Sequence, residues 1–336
     1  MQGQLFDALH RAGHVHYLGM FASDPDSSEE RRQFFQGLTQ ALYIEDETAF
    51  LEVLPSLRQQ FKSLCKKKPD HIPIVLSNEH FVLCQWSTKV RGERIIASRS
   101  ASRLALVFEG ADTQLLAAVR RQDALLRSFF LQHVVLPNHA HREQYASLES
   151  YLEDCLDSES LQHGFYDFHE TISAYQRAFP EAEVLVWTFE DFCEGQVDVL
   201  LQIVKFLGVG SRIPACVRTP LQRLNERSNS GREAISPQWS PLHYAIHRHQ
   251  ALLGVLRRVL PDSVFRRASA ALKQQRVIRP LEAEETAKIL AEFHGSNTNL
   301  ARALPMLSKS LLEQGYLKTQ NGGSMASGQS ASMLAE

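Results

Sequence analysis

No apolar run in this 336-residue chain approaches the roughly 20 residues needed to cross a bilayer. Stretches such as Leu104–Phe108 and Leu115–Val119 stop at five, so no transmembrane helix is expected. Cysteine is scarce: Cys65, Cys84, Cys155, Cys193 and Cys216 are odd in number and lack C-x-x-C spacing. That argues against zinc sites and disulfide frameworks and for reduced thiols in a cytoplasmic setting. A charge bias is missing too, since 36 basic and 38 acidic residues leave a formal charge of −2. No basic excess is available to displace counterions from phosphates, so nucleic acid is not an expected partner. The first 20 residues hold Asp7, Arg11 and three histidines instead of a continuous apolar segment, which does not read as a secretory signal.

What is present is ordinary for a globular protein: 44% apolar and 22% charged residues. At about 150 residues per domain the length suits one large or two small domains. Residues 1–318 read as one α/β domain. Residues 319–336 are Gly, Ser, Ala and Gln with one charged residue, which predicts a disordered tail.

Along the chain, Met1–His10 reads as an amphipathic helix with Leu5, Phe6 and Leu9 on its apolar side. His14–Phe21 predicts a short strand, followed by the loop Ala22–Ser28; Glu29–Gln40 and Glu45–Lys66 are helical in composition. Pro73–Ser77, Gln114–Val119 and Glu183–Phe189 are compact apolar runs of the kind that form strands buried on both faces. Four such strands alternating with helices predict a parallel sheet flanked by helices. Ligands of such sheets bind beyond the carboxyl ends of the strands, just after Phe21, Leu76, Val119 and Phe189. From Pro241 the chain reads as helical: His243–Val259, Ser263–Gln274 and Glu282–Phe293, with Gly295 as a stop.

The most informative stretch runs from Leu115 to Gln132. A buried strand leads into Arg120 and Arg121, and Asp123 is placed to cap a helix whose core side carries Leu125, Leu126, Phe129, Phe130 and Val134. Ser128, eight residues after Arg120, falls in the second turn of that helix. A guanidinium with a nearby hydroxyl is a good phosphate receptor; a surface arginine pair with a solvent-facing serine explains the same spacing.

The pattern Val-Arg-Arg-Gln-Asp-x-x-x-x-Ser-x-x-x-Gln at 119–132 resembles the region of bacterial PAPS-dependent sulfotransferases that binds the 3′-phosphate of 3′-phosphoadenosine 5′-phosphosulfate. Further similarities follow in order. Val75-Leu-Ser-Asn-Glu79 resembles the family's Ser-x-Glu strand end, and Val186-Trp-Thr-Phe-Glu190 its later strand followed by Phe/Tyr-Glu. Phe293-His-Gly-Ser-Asn-Thr-Asn-Leu-Ala-Arg302 resembles a helical signature of the carbohydrate-type members. The resemblance implies a P-loop-like three-layer sandwich and sulfonate transfer from PAPS, without a metal, to a carbohydrate-type hydroxyl. Arg120 and Ser128 would hold the 3′-phosphate, and Arg227 and Arg232, in the basic stretch Arg223–Arg232, would close over it. Glu79 would be the general base for the acceptor hydroxyl. The plainer reading makes Glu79 a helix-start acid or a hydrogen-bond acceptor, and Arg227 and Arg232 solvated loop residues.

The chain departs from that family in one respect. The Lys-Thr-Gly-Thr-Thr-Ser loop that holds the 5′-phosphosulfate at a helix N-terminus occurs nowhere in it. Met1–Gln2 leading to Leu5 and Leu9 looks like the helix that follows such a loop, so the first strand is expected to be missing. Either the start is assigned too late or the product is truncated, and a non-catalytic binding protein on the same scaffold is the competing reading. A nucleotide kinase would need a Gly-Lys-Ser/Thr loop, also absent. His243, His247 and His249, and likewise His139 and His141, have helix or loop spacing without completing a metal site. Lys66–Lys68 complements a helix end, and Gly208 reads as a helix C-cap rather than part of a dinucleotide loop.

Overall fold

The computed structural model describes residues 2–18, 29–66, 72–77, 81, 96–131, 147–210, 214–215, 234–239 and 273–317. Within them the chain is mostly helical, with three two-stranded sheets. Strand β1 (His16–Tyr17) pairs in parallel with β2 (Ile74–Val75), and β3 (Gln114–Val119) in parallel with β4 (Glu183–Thr188). Strands β5 (Ala234–Trp239) and β6 (Lys273–Ile278) form an antiparallel pair. All four apolar runs expected to be strands contribute one, and the α/β character follows from them. The first two are shorter than expected, because only two residues of each find a partner.

Helices precede and separate the strands. Helix α1 is Gln2–Arg11, α2 Glu29–Leu42 and α3 Glu47–Lys66; α4 (Ile96–Val107) leads into β3 and α5 (Gln122–Phe129) leaves it. Between β3 and β4 lie α6 (Leu148–Leu156), α7 (Leu161–Tyr166) and α8 (Phe168–Ala178). After β4 come α9 (Phe189–Glu194) and α10 (Gln196–Phe206), and the C-terminal part holds α11 (Ala283–Glu292), α12 (His294–Ala303) and α13 (Pro305–Glu313). Among the described residues no helix is long and apolar enough to cross a membrane.

The β3–β4 register puts Leu116 opposite Leu185 and Ala118 opposite Trp187. Alternation sends side chains to two faces. Leu116, Leu185 and Trp187 join a cluster with Leu5 and Leu9 of α1, Tyr17 and Val75 of the other parallel pair, and Val199, Leu200 and Ile203 of α10. Val119, Val184 and Val186 belong to a second cluster with Phe168 and Ile172 of α8, Leu300 of α12, Leu311 of α13 and Tyr316. The strand pair therefore has helices against both faces. Helices α2, α3 and α4 form a third cluster, and α5, α6, α7 and α11 a fourth.

Several local expectations change. Asp123 does not cap α5. The N-cap is Arg121, and Asp123 sits in the first turn, where it takes the Arg121 guanidinium. Gly295 does not stop a helix: α11 ends at Glu292 and α12 starts at His294, so Gly295 lies in the first turn of the next helix. Residues 273 and 274, expected to end a helix, begin β6, where cross-strand pairing outweighs local propensity. Strand β5 carries Pro237 in mid-strand, which obscured it in the sequence. Gly208 does cap α10: at φ +67° its N–H reaches the Lys205 carbonyl and the next N–H, of Val209, reaches Val204, a Schellman motif. The 243–259 helix, most of the 263–274 one and the tail 319–336 lie outside the described residues.

Arg279 ties α6 to α11 by donating to Glu149 (2.8 Å) and through both terminal nitrogens to Glu285 (2.7 Å each). Those bonds hold the Glu285 carboxyl below its ordinary range. A lowered folded pKa stabilises the fold above the unfolded value near 4.5, and the contribution is lost as pH falls through the folded value. Between pH 5 and 3 the wild type is therefore expected to lose more stability than Glu285→Gln. The difference should be about 0.5–1 kcal/mol for so exposed a pair, measured by urea unfolding at each pH. Parallel pH profiles would contradict the assignment.

Candidate functional site

The carboxyl ends of β3 and β4 lie side by side, with Val119 opposite Thr188. Thr188 caps α9 by accepting from the Asp191 N–H (3.0 Å), which turns Phe189 and Glu190 in immediately beyond the strand. The Arg120 guanidinium, just after β3, lies over the Phe189 ring with Cζ 4.9 Å from its centroid. Its Nε is buried and without a hydrogen-bond partner, and no ion pair to Arg120 is present among the described residues. A half-buried cation left without an anion is costly unless something else meets its charge. The aromatic face supplies only about 0.5–2 kcal/mol of that.

Arg121, its neighbour, is fully engaged. Nε and Nη2 grip Asp123 at 2.8 and 3.0 Å and Nη1 donates to the Gln314 carbonyl (3.4 Å). The Asp123 hydrogen bonds raise its pKa above the usual arginine value and so keep it protonated. The backbone N–H of Arg121 donates to Glu190 Oε1 (3.2 Å), while Glu190 Oε2 accepts from the Tyr316 hydroxyl (2.7 Å). Burial, with Glu190 beside it, pushes the Tyr316 phenol well above its ordinary pKa, so it donates at every accessible pH. One arginine of the pair is thus a structural tie, and the other has no anion beside it among the described residues.

A second polar tie lies underneath. Gln122 and Asn297, both with no exposed surface, exchange two amide hydrogen bonds (2.8 and 3.2 Å), and Asn297 also donates to the Tyr316 carbonyl (3.2 Å). Ser296 donates to Asp167 (2.6 Å) at the start of α8. Three stretches singled out in the sequence, around residues 119–132, 186–190 and 293–302, therefore meet at one strand end.

Ser128 is half-buried in the second turn of α5, and its hydroxyl has no hydrogen bond among the described residues. At 100° per residue it lies about 160° from the centre of the buried arc formed by Gln122, Asp123, Leu126, Phe129 and Phe130. It faces away from the helix's own core. No hydrogen bond joins it to Arg120. Glu79, Arg227 and Arg232 lie outside the described residues, as do His139, His141, His243, His247 and His249. The sequence reading assigned no role to Phe189 or Tyr316. A Phe-Glu pair after a strand was a visible signal for Phe189, whereas nothing local marks Tyr316 as the partner of a carboxylate 126 residues away.

Comparison of the chain with protein-family models, with curated proteins and with solved structures returned no match.

Proposed function

We propose that this is a sulfotransferase-like protein whose Arg120 and Ser128 receive the 3′-phosphate of PAPS, in support of sulfonate transfer to a hydroxyl of a carbohydrate-type acceptor. The observation that carries the reading is Arg120 itself, a half-buried guanidinium held over Phe189 with no anion beside it among the described residues. A phosphate is one of the anions whose geometry matches a forked, charged donor. In the transfer, the acceptor oxygen attacks sulfur, the sulfur–oxygen bond to the 5′-phosphate breaks with its electron pair leaving on the nucleotide, and the acceptor proton passes to a base. Glu79 is assigned that role, and Arg227 and Arg232 are assigned to the 3′-phosphate side, on the resemblance. The P-loop-like sandwich belongs to the same proposal.

The chain holds no Lys-Thr-Gly-Thr-Thr-Ser loop for the 5′-phosphosulfate. That observation favours a second reading, a non-catalytic protein that binds a nucleotide 3′-phosphate on the same scaffold. Calorimetric titration with adenosine 3′,5′-bisphosphate, and with adenosine 5′-phosphate as the analogue lacking the 3′ group, tests what the two readings share. The bisphosphate is expected to bind at least about tenfold more tightly. Arg120→Ala should lose about 10–100-fold in affinity, as removal of a charge-assisted hydrogen bond worth roughly 1.5–3 kcal/mol implies. Its midpoint of thermal unfolding should fall little, because the guanidinium's contact with another described element is the Phe189 ring and no hydrogen bond or ion pair to a described residue is lost. Equal affinity for wild type and Arg120→Ala would discard both readings. Transfer of labelled sulfonate from PAPS to an oligosaccharide separates enzyme from binding protein.

A further inference from the structure

Helix α13 ends in a Schellman motif that turns the chain back against the end of β3. Gly315 stands at φ +74°, its N–H reaches the Leu312 carbonyl (3.2 Å) and the Tyr316 N–H reaches the Leu311 carbonyl (2.9 Å). Tyr316, 1% exposed, packs in one cluster with Leu311 and Val119. The turn lies against Arg121: a Cβ on residue 315 would stand 3.5 Å from Arg121 Nη1. Asn297 donates to the Tyr316 carbonyl (3.2 Å), so groups other than the Tyr316 hydroxyl hold the backbone of this turn.

From this turn polar contacts reach α9. Gln314 Nε2 donates to Asp191 (3.3 Å) and Glu194 (2.9 Å), and the Tyr316 hydroxyl donates to Glu190 Oε2 (2.7 Å). Helix α9 has six residues, too few to keep its own orientation, so its cap and these contacts decide where its first residue, Phe189, sits. Glu190 carries the decisive one. Its Oε1 accepts from the Arg121 N–H (3.2 Å), which belongs to the peptide joining Arg120 to Arg121. The residue before Glu190 is Phe189 and the residue before Arg121 is Arg120, whose Cζ stands 4.9 Å from the centroid of the Phe189 ring. The carboxylate bridge and the cation–ring contact are thus neighbouring rungs between the same two segments.

We propose that Tyr316 is a positioning residue of the Arg120 site: its hydroxyl holds the Glu190 carboxylate that keeps Phe189 under the Arg120 guanidinium, and anion capture by Arg120 depends on it. The inference rests on the reading of Arg120 as an anion receptor. Without the hydroxyl, Glu190 Oε2 turns to water or to the Arg121 guanidinium, whose charge it already meets, and the rung beside the Arg120–Phe189 contact loosens. An arginine whose plane is no longer fixed presents its forked donors to an anion at a larger loss of side-chain freedom. Tyr316→Phe removes that one bond and keeps the buried ring, so the variant separates positioning from folding.

The test uses the full chain with isotope-labelled arginine, observed by NMR. The Arg120 Nε–Hε signal is assigned by its loss in Arg120→Lys, and its position without the aromatic ring is read from Phe189→Leu. In the ligand-free protein, Tyr316→Phe is expected to move the Arg120 signal at least halfway toward the Phe189→Leu position, and adding it to Phe189→Leu should move the signal no further. Tyr175→Phe, which loses a hydroxyl bond to the Phe81 carbonyl (2.6 Å) in a different cluster, should leave it unmoved. Binding of adenosine 3′,5′-bisphosphate should weaken about tenfold in Tyr316→Phe, the low end of the roughly 10–100-fold lost when the orienting partner of a metal ligand is removed. In Tyr175→Phe it should be unchanged. An Arg120 signal that stays at its wild-type position in Tyr316→Phe, or a bisphosphate affinity equal to wild type, would overturn the proposal. A wild type that binds no bisphosphate would discard the nucleotide reading, whereas the ligand-free signal upholds or overturns the role of Tyr316 by itself.

Discussion

Replacing Arg103 by alanine is expected to cost about 3 kcal/mol of folding stability, the largest effect of any single exchange of a charged residue considered for this protein. The side chain is 1% exposed on α4. Its Nη1 donates to the carbonyls of Ala41 (3.1 Å) and Ile44 (2.5 Å), Nη2 donates to Glu47 (2.8 Å), and Cζ lies 4.4 Å above the Phe50 ring. One guanidinium thus joins the end of α2, the connection after it and the start of α3 to α4. Glu47, whose side chain is 58% exposed, can be rehydrated when the arginine is removed. The Ile44 carbonyl cannot be satisfied so readily, and the volume over Phe50 becomes a cavity. An unsatisfied buried polar group costs about 1–3 kcal/mol, and a large-to-small change in a packed core costs a similar amount. Arg103→Met restores much of the volume but not the carbonyl's donor and should recover about half the loss. Chemical denaturation of the three proteins checks this through the midpoint at constant slope. A loss below about 1 kcal/mol for alanine would show that the guanidinium is dispensable. By contrast, the ion pair of Arg58 with the exposed Glu109 should be worth under about 1 kcal/mol.

The second large effect is expected at the Gln122–Asn297 pair. Gln122→Leu alone leaves the Asn297 amide facing an apolar neighbour with one donor and its carbonyl unmet, and about 2–3 kcal/mol should be lost. Asn297→Leu alone should cost at least as much, because it also removes the donor to the Tyr316 carbonyl. The double variant should be less destabilised than the two losses added together, by about 1–2 kcal/mol. Removing both partners abolishes the penalty of the stranded one, leaving mainly the Tyr316 and Tyr166 carbonyls that each amide had served. The cycle is read by urea unfolding. Additivity within about 0.5 kcal/mol would mean the two amides act independently, and the meeting of α5 with α12 would then need another cause.

These residues also show where sequence reasoning reached and where it stopped. Strand β3 covers the expected Gln114–Val119 run, and β4 covers the expected run except its last residue, Phe189, which Thr188 turns into α9. Both are apolar runs between polar breaks, a signal carried within six residues. The helices at 29–42 and 47–66 match the segments Glu29–Gln40 and Glu45–Lys66, legible as helical in their composition, to within two residues at each end. Asp123 was misread as a cap because a cap is a contest among several nearby donors. Here the flanking Arg121 side chain won the carboxylate. Strand β5 was missed because proline and glutamine carry no strand signal of their own, and its pairing with β6 lies 34 or more residues away along the chain.

The sequence by itself determined the alternation of apolar runs and amphipathic helices, hence the α/β character, and it marked Arg120 at the end of a strand, because period and polarity are local properties of the chain. Only the tertiary structure decided which of two adjacent, chemically identical arginines is left without an anion among the described residues. Arg121 is held by Asp123 and tied to the chain after α13 through the Gln314 carbonyl, while Arg120 lies over Phe189 at the start of α9. That choice depends on groups brought together from 69 to 193 residues away, and separations of that size leave no trace in a sequence window.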